Sequence, residues 1–128
     1  MERMEGIRAY FLDSYALIEI IKENLNYEKF KETQNFTSIM NLLEIHYAIS
    51  RDFGFHKADE ITNKFKKILL DINIKDIEEA SRFRIKHVRK KFSYIDCLGY
   101  AVSANRDLIF VTGDRQFENL DGVEFVKK

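Results

Sequence analysis

The sequence predicts an α/β domain, a three-layer α/β/α sandwich with a mainly parallel sheet between two layers of helices. Two observations favour this class. Short apolar runs of strand length alternate along the chain with longer segments of helical periodicity. Strands that are separated by helices tend to become parallel neighbours in one sheet. A length of 128 residues suits one domain with a continuous core, so a single domain is expected.

The composition is that of a globular protein. Apolar residues make up 45% of the chain and charged residues 33%, and no apolar run approaches the roughly 20 residues of a membrane helix. The N-terminus carries Glu2 and Glu5 and lacks the apolar block of a signal peptide, so secretion is not expected. Cys97 is the only cysteine, which excludes an internal disulfide and a cysteine-based zinc site and indicates a reducing cytoplasm. Because the formal net charge is zero, nucleic-acid binding depends on a local basic patch.

The first strand is predicted over residues 9–12, directly before Asp13. A helix is expected next, because apolar residues recur with helical spacing at Ala16, Leu17, Ile20 and Ile21. Asp13 or Ser14 is then its N-cap. Asp13 has a second interpretation, since active sites of parallel sheets lie outside the carboxyl ends of the strands. Both interpretations stay open at this point.

The middle of the chain is predicted to be largely helical. Residues 26–33 form a short helix or a loop, and residues 36–38 form a brief strand. The segments 39–53 and 55–70 both carry apolar residues at helical spacing, with one glycine between them. They are expected to form a helical hairpin over about residues 39–70, which is a natural surface for a partner chain or for dimerisation.

Glu44 lies within the first helix of this hairpin, between Leu43 and Ile45. An ionised carboxylate among apolar neighbours is costly unless a cation meets it. Glu44 therefore either reaches solvent at the edge of the helix or belongs to a site. His46 lies on a different face and is expected to be a surface or hydrogen-bonded histidine rather than a ligand.

A strand is predicted over residues 71–74 and a helix over residues 76–91. Acidic residues begin this helix and basic residues end it, which complements the helix dipole without any ligand. The alternative is that the basic residues contact the phosphates of a nucleic acid. The candidates for such contacts are Arg82, Arg84, Lys86, Arg89, Lys90 and Lys91.

The last third of the chain contains two more acids next to predicted elements. Asp96 begins an apolar helix rich in small residues, so this helix is expected to lie buried against the sheet. The spacing from Ser93 to Asp96 is also that of a capping box. Asp114 follows a strand predicted over residues 108–111, where a simple turn is the alternative. A final strand is predicted over residues 123–126.

Asp13, Asp96 and Asp114 thus fall at strand ends or helix starts on one edge of the predicted sheet, and Glu44 can join them. Four carboxylates in one place raise one another's pKa and do not all stay ionised unaided. A hard divalent cation resolves the repulsion, and all-oxygen ligation favours Mg²⁺ or Mn²⁺. Such an ion activates water and stabilises charge on a phosphodiester. Hydrolysis of phosphodiester bonds is therefore the reaction that best uses this set.

With these residues the sequence resembles the PIN domain family, and in particular the VapC-type ribonuclease toxins of toxin–antitoxin pairs. The resemblance covers nearly the whole chain. It is carried by Phe11, Leu12, Asp13 and Ser14, by Leu42, Leu43 and Glu44, by Ile95 and Asp96, and by residues 108–114 with Phe117.

The resemblance implies a five-stranded parallel sheet and an endoribonuclease that depends on Mg²⁺ or Mn²⁺. It implies Asp13 and Asp96 as the main metal ligands, with Asp114 completing the site directly or through water. Glu44 is implied to hold a water molecule of the metal ion or to help activate it.

The same resemblance implies supporting residues and partners. Ser14 and Thr112 stand where hydroxyl groups often form hydrogen bonds to the acids of similar domains. Gln116 stands where many family members have a further acid, which disfavours a tightly held second metal ion. The implied partners are an RNA substrate, a second copy of the chain in a homodimer, and an antitoxin that covers the site. The hairpin over residues 39–70 is where the antitoxin is expected.

Other carboxylate-using folds fit less well. A phosphoacceptor receiver domain needs paired acids after the first strand, but Leu12 precedes Asp13. A phosphatase of the haloacid dehalogenase type needs an acid two residues after Asp13, where Tyr15 stands. The serious alternative is a catalytically inactive PIN-like module that binds RNA or protein. Retention of all four acids favours the enzyme, because an inactive scaffold has no need of converging unpaired charge.

Overall fold

The structure is a computed structural model that describes residues 8–128, so the N-terminal stretch with Glu2 and Glu5 lies outside the described residues. Its strands are β1 (Ala9–Leu12), β2 (Gln34–Ser38), β3 (Leu69–Leu70), β4 (Ile109–Thr112) and β5 (Val123–Phe125). Its helices are α1 (Ser14–Ile21), α2 (Ile39–Phe53), α3 (Phe55–Lys64), α4 (Ile74–Lys86) and α5 (Tyr94–Asn105). Short 3₁₀ segments occur at Leu25–Glu32, Lys66–Ile68 and Arg115–Phe117.

The five strands form one sheet in the order β3-β2-β1-β4-β5, and each pairing within residues 8–128 is parallel. At the centre of the sheet, Leu12 of β1 aligns with Val111 of β4. The prediction of a five-stranded parallel sheet is therefore confirmed. Because parallel strands end at the same edge, the residues that follow β1 and β4 lie next to each other.

Helices cover both faces of the sheet. Successive side chains of a strand alternate between the faces: Tyr10 and Leu12 pack with α1, α2 and α3, whereas Ala9 and Phe11 pack with α4 and α5. Phe11 and Phe110 are fully buried, and their rings stack with 5.9 Å between centroids. Burial of each such side chain contributes about 1.5–3 kcal/mol to the free energy of unfolding. The predicted three-layer sandwich is thus confirmed.

Helix α5 lies close against the sheet, as its small residues predict. Gly99 is buried, and a Cβ atom on it would lie 3.0 Å from Cε1 of Phe11 and 3.3 Å from Cε1 of Phe110. A larger residue would therefore push the helix away from the strands. This contact sets the distance between β1, which is followed by Asp13, and the helix that carries Asp96.

The helix predicted over residues 55–70 ends earlier, at Lys64. Phe65 and a 3₁₀ turn follow, and Leu69 and Leu70 form β3, which pairs with β2. The apolar pattern misled the prediction because Phe65 and Leu69 pack against the same core as the helical residues before them.

The strand predicted over residues 71–74 is wrong, because α4 begins there. Asn73 and Asp76 form a capping box in which each side chain accepts a hydrogen bond from the backbone N–H of the other, at 3.0 and 2.9 Å. The box starts the helix at Ile74, two residues earlier than predicted.

The same helix was predicted to continue to residue 91 and instead ends at Lys86. Packing of Phe92 explains the early end, since this residue is buried and its ring stacks on that of Phe117 with 4.2 Å between centroids. Tertiary packing here overrides the helical propensity of the basic run. The last three basic residues of the predicted helix lie in the loop 87–93 instead: Arg89, Lys90 and Lys91.

Helices α2 and α3 lie side by side. His46 of α2 forms a hydrogen bond of 2.7 Å to the carboxylate of Asp59 on α3, so it is a partnered histidine, as expected. Over residues 8–128 no helix has the length and apolar character that a bilayer crossing requires.

Candidate active site

Asp13 lies between the carboxyl end of β1 and the start of α1. It is 4% exposed, and its backbone N–H donates to the carbonyl of Val111 at 3.2 Å. Its carboxylate accepts a hydrogen bond of 2.8 Å from the N–H of Ala16, which makes it the N-cap of α1. The interpretation as an N-cap is therefore confirmed. The residue also stands at the carboxyl edge of the sheet, and its role in an active site stays a prediction.

Thr112 connects Asp13 with Asp114 at the end of β4. The buried hydroxyl of Thr112 donates to the Asp13 carboxylate and accepts a hydrogen bond of 3.0 Å from the N–H of Asp114. The Asp114 carboxylate itself accepts a hydrogen bond of 3.0 Å from the N–H of Gln116. One hydroxyl thus joins the two acids that follow adjacent parallel strands.

Asp96 approaches from α5, where a capping box with Ser93 holds it. Its carboxylate oxygen Oδ2 accepts from the N–H of Ser93 at 2.9 Å, and its own N–H donates to the Ser93 hydroxyl at 3.0 Å. The residue is half-buried. The predicted capping box is confirmed, and it holds the Asp96 carboxylate at the first turn of the helix.

Asp13, Asp96 and Asp114 form an acidic cluster, in which the charges of Asp96 and Asp114 act on Asp13 and the charge of Asp114 acts on Asp96. Burial raises the pKa of Asp13 from 3.8 to about 7 despite hydrogen bonds from Thr112 and Ala16, and the charges of Asp96 and Asp114 add to the increase. Burial also raises the pKa of Asp96, and the charge of Asp114 contributes. Among residues 8–128 no lysine or arginine forms an ion pair with any of the three. The cluster is therefore uncompensated within the described part of the chain.

Glu44 contacts the start of α1 through a hydrogen bond. Its carboxylate accepts a hydrogen bond of 2.5 Å from the hydroxyl of Ser14, which in turn accepts one of 3.0 Å from the side-chain amide of Asn41. The buried Ser38 hydroxyl donates to the Asn41 side-chain oxygen at 2.6 Å. Ser14 directly follows Asp13 in the chain. Glu44 is thus a partly buried, hydrogen-bonded acid rather than a helix edge in solvent.

Tyr15 and Gly113 also belong to this region, and no pattern in the sequence predicted their contact. The ring of Tyr15 covers Gly113 so closely that a Cβ atom on Gly113 would lie 2.1 Å from Cε1 of Tyr15. Burial raises the pKa of the Tyr15 hydroxyl, and the charges of Glu19, Asp13 and Asp114 raise it further. The only sequence signal was a glycine directly before an acid, which an ordinary turn also explains.

A model of the PIN domain family matches residues 10–123. The chain belongs to the PIN domain family. The matched region runs from β1 into β5 and includes the acidic cluster and Glu44. The family resemblance drawn from the sequence is therefore confirmed.

Solved structures of VapC and VapBC proteins share the fold of this PIN domain. VapC20 from Mycobacterium tuberculosis matches with a TM-score of 0.75 at 15% identity, over 91% of this chain and 98% of that one. A chain of VapBC2 from Rickettsia felis matches with a TM-score of 0.73 at 17% identity, over 93% and 99% of the two chains. For VapBC from Salmonella typhimurium the TM-score is 0.71 at 18% identity, over 93% and 96%. Among curated proteins, none matches the chain significantly.

The acidic cluster of the PIN domain suits a hard divalent cation, because it offers only oxygen ligands and because Asp13 is buried without a cationic partner among the described residues. The carboxylates are turned toward the N–H groups of Ala16, Ser93 and Gln116, which they cap. Within residues 8–128 no three His, Cys, Asp or Glu side chains converge closely enough to hold one ion. Metal binding by these acids therefore stays a prediction.

The basic residues predicted to contact phosphates fall into two groups. In the first group, on α4, Arg82 and Lys86 are exposed. Arg84 lies over the ring of Tyr94, 4.1 Å from its centroid, and donates to the carbonyl of Phe92 at 3.2 Å. Arg84 is thus partnered within the domain, and Arg82 and Lys86 are the exposed members of this group.

The second basic group lies in the loop 87–93, where Arg89 is exposed. Nζ of Lys90 donates to the carbonyl of Gln116 at 2.7 Å, and the N–H of Lys91 donates to the side-chain oxygen of Gln116 at 2.6 Å. Because Gln116 is bonded to Asp114, this loop is attached to the acidic cluster.

Proposed function

We propose that this PIN domain is an endoribonuclease that hydrolyses RNA phosphodiester bonds with a bound Mg²⁺ or Mn²⁺ ion. We propose further that it is the toxin of a toxin–antitoxin pair and acts in the cytoplasm. The observation that carries the proposal is the acidic cluster, in which Asp13 follows β1, Asp114 follows β4 and Asp96 lies on α5, and in which the charges of Asp96 and Asp114 raise the pKa of Asp13. An uncompensated buried charge lowers stability. A bound cation would compensate the charge and could act in hydrolysis.

Each acid has a proposed role in the reaction. Asp13 and Asp96 hold the ion, and Asp114 completes its site directly or through water. Glu44 orients the attacking water and accepts its proton. The bound ion supplies a positive charge that acidifies water and neutralises the phosphodiester. Without the ion, the pKa of Asp13 is about 7, so this carboxyl group is mostly protonated below that pH. It must then lose its proton when the ion binds.

Two hydroxyl groups keep these acids in place. Ser14 positions Glu44 through its hydrogen bond, next to Asp13 in the chain. Thr112 donates to Asp13 and accepts from the backbone N–H of Asp114, so it links the two acids that follow β1 and β4. Such support matters because a misplacement of about 1 Å at a reacting group can cost on the order of 100-fold in rate.

Proteins of the same fold support the toxin assignment. VapC20 from Mycobacterium tuberculosis is a toxin that cleaves the sarcin–ricin loop. VapBC-5 from the same organism, similar with a TM-score of 0.66 at 20% identity, belongs to a family of toxin–antitoxin systems. By this likeness, the substrate of our chain is RNA and its partner is an antitoxin.

The proposed antitoxin site is the apolar stripe on α2 formed by Ile39, Leu43 and Tyr47. These side chains are 56%, 58% and 67% exposed and recur every four residues, so they lie on one face of the helix. An amphipathic helix of a partner fits such a stripe. Ile85 and Val88, which are 73% and 77% exposed, offer a separate apolar surface for a homodimer.

The alternative is a PIN-like module that binds RNA or protein without cleavage. One observation favours it: the described carboxylates are turned toward helix caps and do not form a ready-made cage for an ion. This alternative predicts that RNA binds and stays intact, and that substitution of the acids leaves that binding unchanged or makes it stronger.

A nuclease assay with purified protein decides between the two functions. Wild type, Asp13→Asn and Asp96→Asn are incubated with structured RNA, once with Mn²⁺ and once with EDTA. We expect cleavage by wild type with Mn²⁺ only, and a loss of at least about 100-fold in rate for each variant. The matched control is Asp121→Asn, an exposed acid before β5 and hence at the opposite edge of the sheet, which should cleave like wild type.

Three outcomes count against the proposal. Equal cleavage by wild type and both cluster variants rejects the site. Cleavage that persists in EDTA rejects the metal ion. Binding of RNA without any cleavage by wild type supports the inactive module.

A further inference from the structure

Gln116 lies two residues after Asp114, and each of its polar groups forms a hydrogen bond. On one side, its N–H donates to Oδ1 of Asp114 at 3.0 Å and its side-chain amide donates to Oδ2 at 3.4 Å. On the other side, its Oε1 accepts from the N–H of Lys91 at 2.6 Å and its carbonyl accepts from Nζ of Lys90 at 2.7 Å. Gln116 is therefore a bridge between an acid of the cluster and the basic loop 87–93.

The same loop is attached to the acidic cluster at a second point. The N–H of Ser93 donates to the carboxylate of Asp96 at 2.9 Å. Between the two attachments, Phe92 is 3% exposed and its ring stacks on that of Phe117. The loop is thus held between Asp96 and Gln116, and both of its lysines are exposed residues that contact Gln116.

We infer that Gln116 is a positioning residue, whose side chain holds the basic loop so that RNA phosphates bound by Lys90 and Lys91 lie next to Asp114. The inference rests on the proposed nuclease function and adds a substrate-positioning role for a residue outside the four acids. Contacts between lysines and phosphates fix the register of a nucleic-acid backbone without reading its sequence. The loop would therefore determine which phosphodiester enters the site rather than which base is recognised.

A glutamine suits this place because its amide is both a donor and an acceptor. The N–H of Lys91 requires an acceptor, whereas the carboxylate of Asp114 requires a donor. A glutamate side chain can still accept from Lys91 but repels Asp114. An alanine side chain neither accepts from Lys91 nor repels Asp114. The two substitutions therefore separate the attachment of the loop from the charge beside Asp114.

Steady-state cleavage of a fluorogenic RNA oligonucleotide with Mn²⁺ tests the inference. Gln116→Ala is expected to raise KM about fivefold and to leave kcat within about twofold, because phosphate contacts act on the ground state and the transition state alike. Gln116→Glu keeps the acceptor for Lys91, so its KM should stay near that of wild type. Its added carboxylate beside Asp114 should lower the Mn²⁺ concentration that gives half-maximal rate.

Amide hydrogen exchange followed by NMR measures the bridge without any activity. The N–H of Lys91 should exchange about tenfold faster in Gln116→Ala than in wild type, because its acceptor is gone. In Gln116→Glu its exchange rate should stay close to that of wild type. The N–H of Ser93, which is bonded to Asp96, is the internal control and should keep its rate in both variants.

An unchanged KM in Gln116→Ala overturns the inference, and so does an equal rise of KM in Gln116→Glu. Unchanged exchange at Lys91 in Gln116→Ala overturns it as well. If wild type does not cleave RNA, the proposed function fails instead, and binding of the same oligonucleotide is measured by fluorescence anisotropy. Weaker binding by Gln116→Ala then supports the positioning role, and equal binding rejects it.

Discussion

Ser14 and Glu44, thirty residues apart in the chain, are joined by a hydrogen bond of 2.5 Å from the serine hydroxyl to the glutamate carboxylate. Ser14 also accepts a hydrogen bond from Asn41, so its oxygen is held from two sides. The contact ties α2 to the start of α1, directly after Asp13. A hydroxyl beside one acid of the cluster therefore sets the position of Glu44.

Replacement of Ser14 by alanine should lower kcat for RNA cleavage about tenfold, because Glu44 loses a donor and Asn41 loses an acceptor. KM should change less than kcat. Ser14→Thr keeps the hydroxyl group and is the matched control, which should retain most of the activity. Cleavage kinetics with Mn²⁺ measure both variants. An equal loss in Ser14→Thr would show that packing, and not the hydrogen bond, is responsible.

The buried charge of Asp13 should destabilise the metal-free protein as pH rises from about 4 to about 7. Burial first, and then neighbouring charge, raises the pKa of Asp13 from 3.8 to about 7 on folding, so the unfolded chain releases this proton at lower pH than the folded chain does. The contribution of this group to the free energy of unfolding is fully present below pH 3.8 and is lost as pH rises to about 7. Asp13→Asn should therefore be more stable than wild type at pH 8, by up to about 4 kcal/mol, and nearly equal to it at pH 4.

Urea unfolding in EDTA at pH 4 and pH 8 measures this difference. The comparison of the two proteins removes the contribution of the titrating groups that do not interact with Asp13, since those groups behave alike in both proteins. If Asp13→Asn is less stable than wild type at pH 8, the buried charge is not the cost that the structure indicates.

Gly113→Ala should destabilise the protein by about 1–3 kcal/mol, because the new methyl group would overlap the ring of Tyr15. The second substitution Tyr15→Ala removes the overlap, so the double variant should cost less than the sum of the two single changes. Urea unfolding of the three variants tests the contact. Additive losses would mean that the ring and the glycine do not touch in solution.

Arg106→Met should cost about 3–5 kcal/mol of unfolding free energy, because it leaves the fully buried Asp76 without its ion pair of 2.9 Å. Burial acts to raise the pKa of Asp76, but hydrogen bonds from Arg106 and two asparagines outweigh it and lower the pKa to about 2. The stability that this pair contributes is present above pH 3.8 and is lost as pH falls toward 2. Arg106 precedes β4, at the edge opposite the acidic cluster, so the folded variant should keep its rate of RNA cleavage. A loss below about 1 kcal/mol would contradict the ion pair.

The fold was predictable where apolar periodicity and strand position agreed. β1, α2 and the buried helix α5 follow directly from their apolar residues. The prediction failed where tertiary contacts decide the local structure. Leu69 and Leu70 continue a helical pattern but pair with β2, and Phe92 ends the basic helix by packing in an aromatic cluster.

The acids of the candidate site were predictable because they follow strands or begin helices, and parallel topology brings such positions to one edge. Residues whose role depends on contacts between distant segments were not predictable. The cover of Tyr15 over Gly113, and the link from Gln116 to the loop 87–93, depend on side-chain geometry between distant segments. No spacing in the sequence reports such contacts.

Asp13, Asp96 and Asp114 are proposed to bind one metal ion, and calorimetric titration with Mn²⁺ at pH 8 tests this most directly. Wild type and Asp121→Asn should bind Mn²⁺ alike, whereas Asp13→Asn and Asp96→Asn should each bind it at least about tenfold more weakly, as expected when a ligand is lost. Mn²⁺ binding that is unchanged in both cluster variants would contradict the claim.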